Sequence, residues 1–143
     1  MTAAYDPNNI FAKILRGEIP SHKICEDDES FAFMDIMPRG PGHSLVIPKK
    51  PARNILDVDP TSLAAVMRTV QKVGRAAMKA FDAQGLTVQQ FNEVEGGQVV
   101  FHLHFHVMPR FAGIALKPPA GPMESPEVLA ENAARIKAAL EKS

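Results

Sequence analysis

The sequence predicts an α+β fold in which one antiparallel sheet packs against one long helix. Three observations support this prediction. Five short apolar runs are bounded by turn residues, one long segment with helical periodicity separates the third run from the fourth, and 143 residues suit a single domain. Strands interrupted by one helix are typical of the α+β class and not of alternating parallel sheets.

The first third of the chain predicts a short helix and three strands. Asn9 is a candidate N-cap and Gly17 a candidate C′ residue for a helix over residues 9–16. The strands follow over residues 23–26, 31–34 and 43–47, where proline and glycine supply the boundaries.

The long helix follows these strands. Asp59 is its candidate N-cap, Pro60 suits its first position, and we expect Gly85 to end it. Its apolar positions repeat with a period of 3.6 and are Leu63, Val66, Met67, Val70, Val73, Ala77 and Phe81. Two more strands are predicted over residues 86–91 and 99–108, joined by the turn-rich residues 93–97.

The C-terminal part divides into a connector and a tail helix. Residues 1–116 are expected to form the main domain, and residues 117–126, with four prolines and one glycine, an extended connector. Ser125 and Pro126 open the tail helix of residues 127–143, whose apolar stripe is Leu129, Ala133, Ile136 and Leu140. A stripe of this kind is typical of a docking surface, either on the domain or on a second copy of the chain.

Composition excludes several classes of protein. Sixteen basic and sixteen acidic residues cancel, whereas nucleic-acid-binding proteins usually carry a basic excess. The single cysteine, Cys25, cannot form an internal disulfide and fits a reducing compartment. The first nine residues do not resemble a secretory signal, and no apolar run has the length of a membrane span. We therefore expect a cytoplasmic protein with neither a nucleic-acid nor a membrane partner.

Three of the five histidines alternate with apolar residues in residues 102–108. On a strand, His102, His104 and His106 share one face, and the intervening apolar residues share the other. A polar, solvent-facing edge strand is one interpretation, although such faces usually carry Thr, Lys or Glu. The histidines are therefore candidates for a functional site.

A metal site is a second interpretation of the histidine run. At about 3.3 Å per residue, the outer two histidines lie about 13 Å apart along a strand. Zinc binds nitrogen at about 2.1 Å, so one ion cannot easily reach all three. Two of them with outside ligands could form a site, but Cys25 has no partner cysteine and no acidic residue is interleaved with the run.

Nucleophilic chemistry is the third interpretation. A neutral imidazole whose Nδ1–H is bound to a carbonyl exposes a basic Nε2, and neighbouring imidazoles can donate protons. Residues 95–98, with two glycines, could bring backbone N–H groups to a phosphate, or they could form an ordinary hairpin turn. Residues 38–53 contain four basic residues and no acid, which favours an anionic ligand or marks solvated loop charges. The basic residues are Arg39, Lys49, Lys50 and Arg53.

Residues 102–108 resemble the signature of the histidine triad (HIT) superfamily, His-φ-His-φ-His-φ-φ with φ apolar, at every position. Further segments resemble the Hint branch and its bacterial relatives; they are residues 10–14, 26–28, 33–36, 42–50 and 92–98, within a match over about residues 9–111. The resemblance implies the HIT fold and a homodimer with the long helix and one strand at its interface, forming a ten-stranded sheet. It implies neither a metal nor another cofactor.

The resemblance implies a role for each histidine of the site. His104 would attack the α-phosphate of a nucleotide and carry the nucleotidyl group. His106 would contact the phosphate and assist the leaving group, and His102 would orient His104 through its carbonyl. His43 would support the triad as a fourth imidazole.

The resemblance also implies a nucleotide pocket. Asp35 would accept hydrogen bonds from ribose hydroxyls, and Asn92, Gly97 and Gln98 would hold the phosphate and the leaving group, Gln98 as a catalytic residue. The base would lie among Ile10, Phe11, Ile14, Phe33, Ile36 and Leu45. From residue type alone, these apolar side chains would be interpreted as core.

Three departures from the patterns of relatives involve four positions. Asn9 and Ala12 occupy positions where some bacterial relatives have the Cys-x-x-Cys of a zinc site. Val99 stands where the Hint branch has a serine beside the phosphate; it faces either the phosphate or the sheet core. His106 stands where uridylyltransferases have glutamine, which points to water as the acceptor.

The sequence therefore predicts a hydrolase that releases a purine nucleoside monophosphate from a leaving group such as an amine, through a nucleotidyl-histidine. A dinucleoside polyphosphate hydrolase and a nucleotide-binding regulatory protein with negligible turnover are the alternatives. A homodimer is also predicted, because Val66, Val70, Val73, Ala76 and Ala77 give the long helix more apolar breadth than one sheet face needs.

Overall fold

The computed structural model describes residues 4–142 and has the predicted α+β architecture. Its helices are α1 (Ile10–Leu15), α2 (Pro60–Ala80) and α3 (Pro126–Glu141), with a 3₁₀ turn at Val94–Gly96. Its strands are β1 (Lys23–Glu26), β2 (Ser30–Met34), β3 (Ser44–Pro48), β4 (Gly85–Gln89) and β5 (Phe105–Arg110). They form one antiparallel sheet in the order β1-β2-β3-β5-β4. No helix in the described part of the chain is long and apolar enough to cross a membrane.

The predicted helix starts are confirmed. The side chains of Asn9, Asp59 and Ser125 each accept a hydrogen bond from a backbone N–H in the first turn of the helix that follows. Proline follows the cap of α2 and of α3, at a position that has no intrahelical acceptor for an N–H. Gly17 has a φ of +77°, as expected of a residue that ends a helix.

The predicted end of α2 is wrong. Asp82, and not Gly85, provides the left-handed residue, with a φ of 51°. The Ala83 N–H then donates to the Met78 carbonyl at 2.9 Å, which is the bond that closes a Schellman motif. Gly85 begins β4 instead.

The predicted strand over residues 99–108 is wrong in its first half, because β5 begins only at Phe105. Before that residue the chain binds a loop and not a neighbouring strand: the Leu103 N–H donates to the Ala52 carbonyl at 2.9 Å. The apolar positions are nevertheless buried as predicted, since Leu103, Phe105 and Val107 belong to one core cluster with α2. β1 has the predicted range, and β2, β3 and β4 differ from theirs by one or two residues at an end.

The sheet separates two apolar clusters. α2 and α3 pack against one face, where Ala32, Val46 and Val107 contribute to the main core. The opposite face carries a smaller cluster made by Phe11 of α1 with Phe31, Phe33, Leu45 and Ile47. His106 pairs with Leu45 across β3 and β5, so its side chain points to this second face.

The tail helix α3 packs on the same chain, against α2, β1 and β2. Its buried residues Leu129, Ala133 and Ile136 share the core cluster of Val66, Val70, Val73, Ala76 and Ala77. The apolar breadth of α2 therefore has an intrachain explanation. The argument that this breadth indicates a dimer surface is wrong.

Candidate active site

His104 lies immediately before β5 and is bound to its own chain. Its Nδ1 is 2.7 Å from the carbonyl oxygen of His102, and because a carbonyl only accepts, Nδ1 carries the proton. Nε2 is therefore the basic nitrogen of the ring. The ring packs edge-on against Phe11 at 5.0 Å between centroids, which fixes its orientation.

His102 is held at both ring nitrogens. Nε2 donates to the Pro48 carbonyl at 2.9 Å, and Nδ1 accepts from the Tyr5 hydroxyl at 2.7 Å. The residue is fully buried. Its ring is thus a fixed neutral support whose carbonyl orients His104.

His43 and His106 form a directed pair. The Arg39 backbone N–H donates to His43 Nδ1 at 3.0 Å, so the proton of His43 is on Nε2. That nitrogen lies 2.9 Å from His106 Nδ1, which accepts. The proton of His106 is consequently on Nε2, and its ring centroid is 5.1 Å from that of His104. The site therefore offers one basic nitrogen and one N–H donor side by side.

Burial keeps all four imidazoles neutral. Burial lowers the pKa of His43 to about 3, helped by His106 and by the charge of Arg39. It lowers the pKa of His102 and of His106 to about 4, and it also lowers the pKa of His104. At neutral pH, His104 is accordingly an unprotonated base.

Asp35 follows β2 and approaches the pair from the side. Its Oδ2 lies 3.4 Å from His43 Nε2 and 3.9 Å from His106 Nδ1, and its Oδ1 accepts from the Met37 N–H. Burial raises the pKa of this carboxyl to about 6. The ionised carboxylate still has lone pairs for a hydroxyl donor.

Asp35, His43 and His106 are the one group in residues 4–142 whose atoms could hold a metal together. The hydrogen bond between the two rings accounts for their separation without an ion. A metal would have to displace the proton that His43 donates to His106. The prediction that the site needs no metal stays a prediction.

The predicted base pocket is only partly core. Phe11, Phe33 and Leu45 are buried in the second cluster, and Ile14 is packed against it. Ile10 and Ile36 are 42% and 38% exposed. Two of the six apolar residues of the predicted base pocket therefore lie at the surface. Packing in the core does not explain why these two positions are apolar.

The glycine loop of residues 92–99 differs from the prediction. The N–H groups of Gly96 and Gln98 donate to the Glu93 carbonyl, and that of Gly97 donates to the Val94 carbonyl. These three N–H groups are therefore used in hydrogen bonds within the loop and are not available to a phosphate. Of the N–H groups in residues 96–99, only that of Val99 has no hydrogen-bond acceptor within the described residues 4–142.

The Gln98 side chain is also directed into the protein. Its NH₂ group donates to the carbonyls of Arg53 and Val100, and its Oε1 accepts from the Glu93 N–H and from Asn54. All four positions of this amide are used. The prediction that the Gln98 side chain contacts a phosphate or a leaving group is not supported by these contacts.

Asn92 and Val99, the two other predicted site residues of this loop, lie at its ends. Asn92 is half-buried, and its Oδ1 accepts from the Ile55 N–H and from Gln90. The Val99 side chain is 84% exposed. Of the two orientations left open for Val99, packing in the sheet core is wrong.

Most of the basic residues between positions 38 and 53 are paired with acids. Lys49 binds Glu26 and Lys50 binds Asp59. Arg53 makes a two-point contact with Glu93 at 2.9 Å and stacks on Phe101. These three cations stabilise loops and do not support the anion-site interpretation. Arg39 has carbonyl and amide partners instead, Lys117 and Gln89.

Sequence reasoning missed three contributors to the site. Tyr5 fixes His102, and its one available signal is that it is the single tyrosine of the chain. The Arg39 backbone N–H sets the proton position of His43, and no sequence signal reports a main-chain donor. Asn54, fully buried, joins Glu93 to Gln98 and thereby closes the glycine loop.

Comparison with known proteins identifies the family. Residues 16–113 match the HIT domain. The chain belongs to the HIT family. It is 39% identical over 104 residues to "Protein hit" of Bacillus subtilis, covering 73% of this chain and 72% of that one. It is 40% identical over 101 residues to the adenosine 5'-monophosphoramidase hnt1 of Schizosaccharomyces pombe, with 71% and 73% covered.

A solved structure extends the likeness beyond the HIT domain. A HIT-like protein of Bartonella henselae, described as involved in cell-cycle regulation and solved with an unknown ligand, superposes with a TM-score of 0.92. It is 55% identical, and the match covers 96% of this chain and 99% of that one. The histidine geometry above thus belongs to a HIT protein, in a family that binds nucleotides and includes hydrolases.

Proposed function

We propose that this protein hydrolyses a nucleotide conjugate at the α-phosphate and releases a purine nucleoside monophosphate. The observation that carries the proposal is the fixed proton on His104 Nδ1, bound to the His102 carbonyl at 2.7 Å. This proton leaves Nε2 unprotonated and nucleophilic at neutral pH, so no separate base is required to activate it. The named activity of the fission-yeast relative, an adenosine monophosphoramidase, favours the same reaction class.

The proposed reaction has two steps. His104 Nε2 forms a bond to the α-phosphorus while the bond from phosphorus to the leaving amine breaks, and the amine takes up a proton from water. The His106 Nε2–H donates a hydrogen bond to the amine or to a phosphate oxygen as charge develops. Water then attacks the phosphorus, His104 leaves as a neutral imidazole, and the monophosphate is released.

Binding of the nucleotide would use the second apolar face of the sheet. The base would lie beside Phe11 and Phe33, with the exposed Ile10 and Ile36 at its edge. Asp35 would accept the ribose hydroxyls. The phosphate would accept a hydrogen bond from the Val99 N–H, which is the one main-chain donor of residues 96–99 without an acceptor in residues 4–142.

One experiment separates this proposal from its alternatives. Adenosine phosphoramidates and diadenosine polyphosphates are each incubated with the chain, and products are identified by mass. Faster release of AMP from the phosphoramidates supports the proposal, and the reverse preference supports a dinucleoside polyphosphate hydrolase. Rapid quenching in base, in which the bond from phosphorus to the histidine nitrogen survives, should trap a nucleotidyl adduct on the peptide that contains His104. No turnover on either class, with AMP still bound, would support a regulatory binding protein.

We also propose a homodimer formed through β4. This strand lies at an edge of the sheet, and its Val88 is 45% exposed. Antiparallel pairing of two β4 edges would give a continuous ten-stranded sheet and would cover the unpaired backbone. Light scattering at micromolar concentration should give about twice 15.6 kDa; a monomer would contradict the dimer and leave the catalytic proposal intact.

The neutral net charge and the lone cysteine favour a cytoplasmic enzyme without a nucleic-acid partner. Exhaustive chelation should leave its activity unchanged, because the nucleophile is an imidazole. A complete loss that zinc restores would instead indicate metal catalysis.

A further inference from the structure

The connector of residues 117–126 lies outside the residues that match the HIT domain, yet it binds a loop of the candidate active site. This loop, residues 35–43, joins β2 to β3. The Lys117 N–H donates to the Arg39 carbonyl at 2.9 Å, and Arg39 Nε donates back to the Lys117 carbonyl at 2.7 Å. Further along, the Glu124 N–H donates to the Ile36 carbonyl at 2.8 Å. The connector thus binds the loop at its start, through Ile36, and at its middle, through Arg39.

The same loop sets the protons of two imidazoles. The Arg39 N–H donates to His43 Nδ1 at 3.0 Å, and His43 Nε2 lies 2.9 Å from His106 Nδ1. A continuous chain of hydrogen bonds therefore runs from Lys117 through Arg39 and His43 to His106. If the Arg39 N–H moved away, His43 Nδ1 could carry the proton, and the donor that orients His106 would be lost.

Packing alone does not hold the loop in place. Between the loop and α3 lies a cavity of about 230 Å³, lined by Pro38, Pro41, Phe81 and Arg135 among others. On the other side, Ile36 and Met37 are exposed. Hydrogen bonds to the connector therefore add to the hydrogen bonds within the loop in restraining its middle.

The Arg39 guanidinium extends this restraint to the sheet. Its Nη1 donates to Gln89 Oε1 at 3.2 Å, and Gln89 is the residue that faces His106 across β4 and β5. Arg39 thus joins the connector, the loop and the edge strand at one point. Its charge also helps to lower the pKa of His43 and His106, after burial and the neighbouring imidazoles.

We propose that the connector positions Arg39, and through it fixes the tautomer of His43 and the direction of the proton on His106. Arg39 is a positioning residue of the active site and is held by the main chain of Lys117, whose side chain takes no part. Residues 117–126 therefore position the site in addition to linking the domain to α3. The effect on turnover rests on the proposed function, whereas the effect on the ring protons does not.

A matched pair of variants of the full chain tests the proposal. Lys117→Pro removes the N–H that binds the Arg39 carbonyl, while Lys117→Ala keeps it and removes only the side chain. Position 117 already precedes a proline, so extended backbone is retained there. Nitrogen-15 NMR of the histidine rings reports which nitrogen of His43 is protonated, and kcat and Tm are measured beside it.

The expected result is specific to the proline variant. Lys117→Ala should keep the wild-type ring signals, with Nε2 of His43 protonated. Lys117→Pro should show a mixture of tautomers and faster exchange of the ring proton between His43 and His106. Its kcat on an adenosine phosphoramidate should fall about ten-fold with KM nearly unchanged.

A second pair covers the case in which Lys117→Pro unfolds. Glu124→Pro and Glu124→Ala make the same comparison at the Ile36 carbonyl, with a smaller expected loss because this contact does not bind Arg39, whose N–H donates to His43. Unchanged ring signals in the folded proline variants would overturn the proposal even if the chain is an active hydrolase. Altered ring signals in a chain without turnover would uphold the positioning role and contradict the proposed function.

Discussion

The two sides of the candidate site are built differently. On the histidine side, seven of the eight ring nitrogens are accounted for as a fixed donor or acceptor, or as the free base of His104; the eighth is the N–H of His106. On the loop side, the N–H groups of Glu93, Gly96, Gly97 and Gln98 donate to oxygen atoms of the loop itself, and Val99 is exposed. Hydrogen bonds therefore hold the imidazoles in their reactive positions, whereas residues 96–99 offer the phosphate one main-chain donor, the Val99 N–H.

The largest expected effect is on the histidine side, from His104→Asn. Asparagine removes the nucleophile, so kcat should fall by at least about 10³-fold. Binding of AMP, measured by calorimetry, should change by less than a few-fold, because the apolar face and Asp35 are untouched. His22→Asn is the control, since His22 lies outside the site. Residual turnover within ten-fold of wild type would show that another group attacks the phosphate.

The second effect is a pH dependence of stability that originates on the histidine side. His102 is neutral and buried, and its pKa of about 4 lies below the value of about 6.5 in the unfolded chain. The burial of neutral His102 contributes fully to the stability of the folded chain above about pH 6.5. This contribution is lost as the pH falls toward 4, because the unfolded chain then binds a proton that the folded chain does not. The loss amounts to about 3 kcal/mol of unfolding free energy.

Urea unfolding at several pH values between 7 and 4.5 measures this dependence. His102→Gln should flatten the curve, because glutamine can still donate to Pro48 but does not titrate. Gly96→Ala, on the loop side, should leave the slope as it is. Equal slopes for wild type and His102→Gln would assign the acid sensitivity to other groups.

The difference between the two sides also explains how much could be predicted from the sequence. The alternation of His102, His104 and His106 with apolar residues identifies the chemistry, because residue type and spacing are local properties. It does not reveal that β5 begins only at Phe105, since the preceding residues are held by a distant loop through Ala52. Tyr5 contacts His102 from 97 residues away. Arg39 is only four residues from His43 but acts through its main-chain N–H, which no side-chain pattern reports.

Errors in the fold prediction have the same origin. Caps at Asn9, Asp59 and Ser125 depend on the first turn alone and were predictable. The apolar breadth of α2 is equally visible in the sequence, but its partner is not: a second copy and α3 would leave the same pattern. Gln98 is similar, since an amide that satisfies a loop and one that binds a phosphate have the same neighbours in sequence.

The third expected effect concerns the shape of the loop. Gly97 has a φ of +97°, and a Cβ there would lie 3.3 Å from the Phe91 ring. Gly97→Ala should therefore lower the free energy of unfolding by about 1–2 kcal/mol. At Gly96 a Cβ would meet no atom within 4 Å, so Gly96→Ala is the matched control and should cost much less. Equal losses in the two variants would mean that the backbone of this turn adapts.

The smallest effect is expected for Val99→Ser, which tests whether an added side-chain donor on the loop side can stabilise the phosphate in the transition state. A hydroxyl at this position would add a side-chain donor beside the Val99 N–H, and a hydrogen bond to a charged group contributes about 1.5–3 kcal/mol. If the bond forms mainly in the transition state, kcat on an adenosine phosphoramidate should rise about ten-fold. The Tm should not change, since the side chain is 84% exposed and packs on no core residue. Val99→Ala, which adds no donor, should leave both quantities at the wild-type value. An unchanged kcat in Val99→Ser would mean that the phosphate lies out of reach of this side chain, so that the imidazoles and main-chain N–H groups suffice to stabilise it.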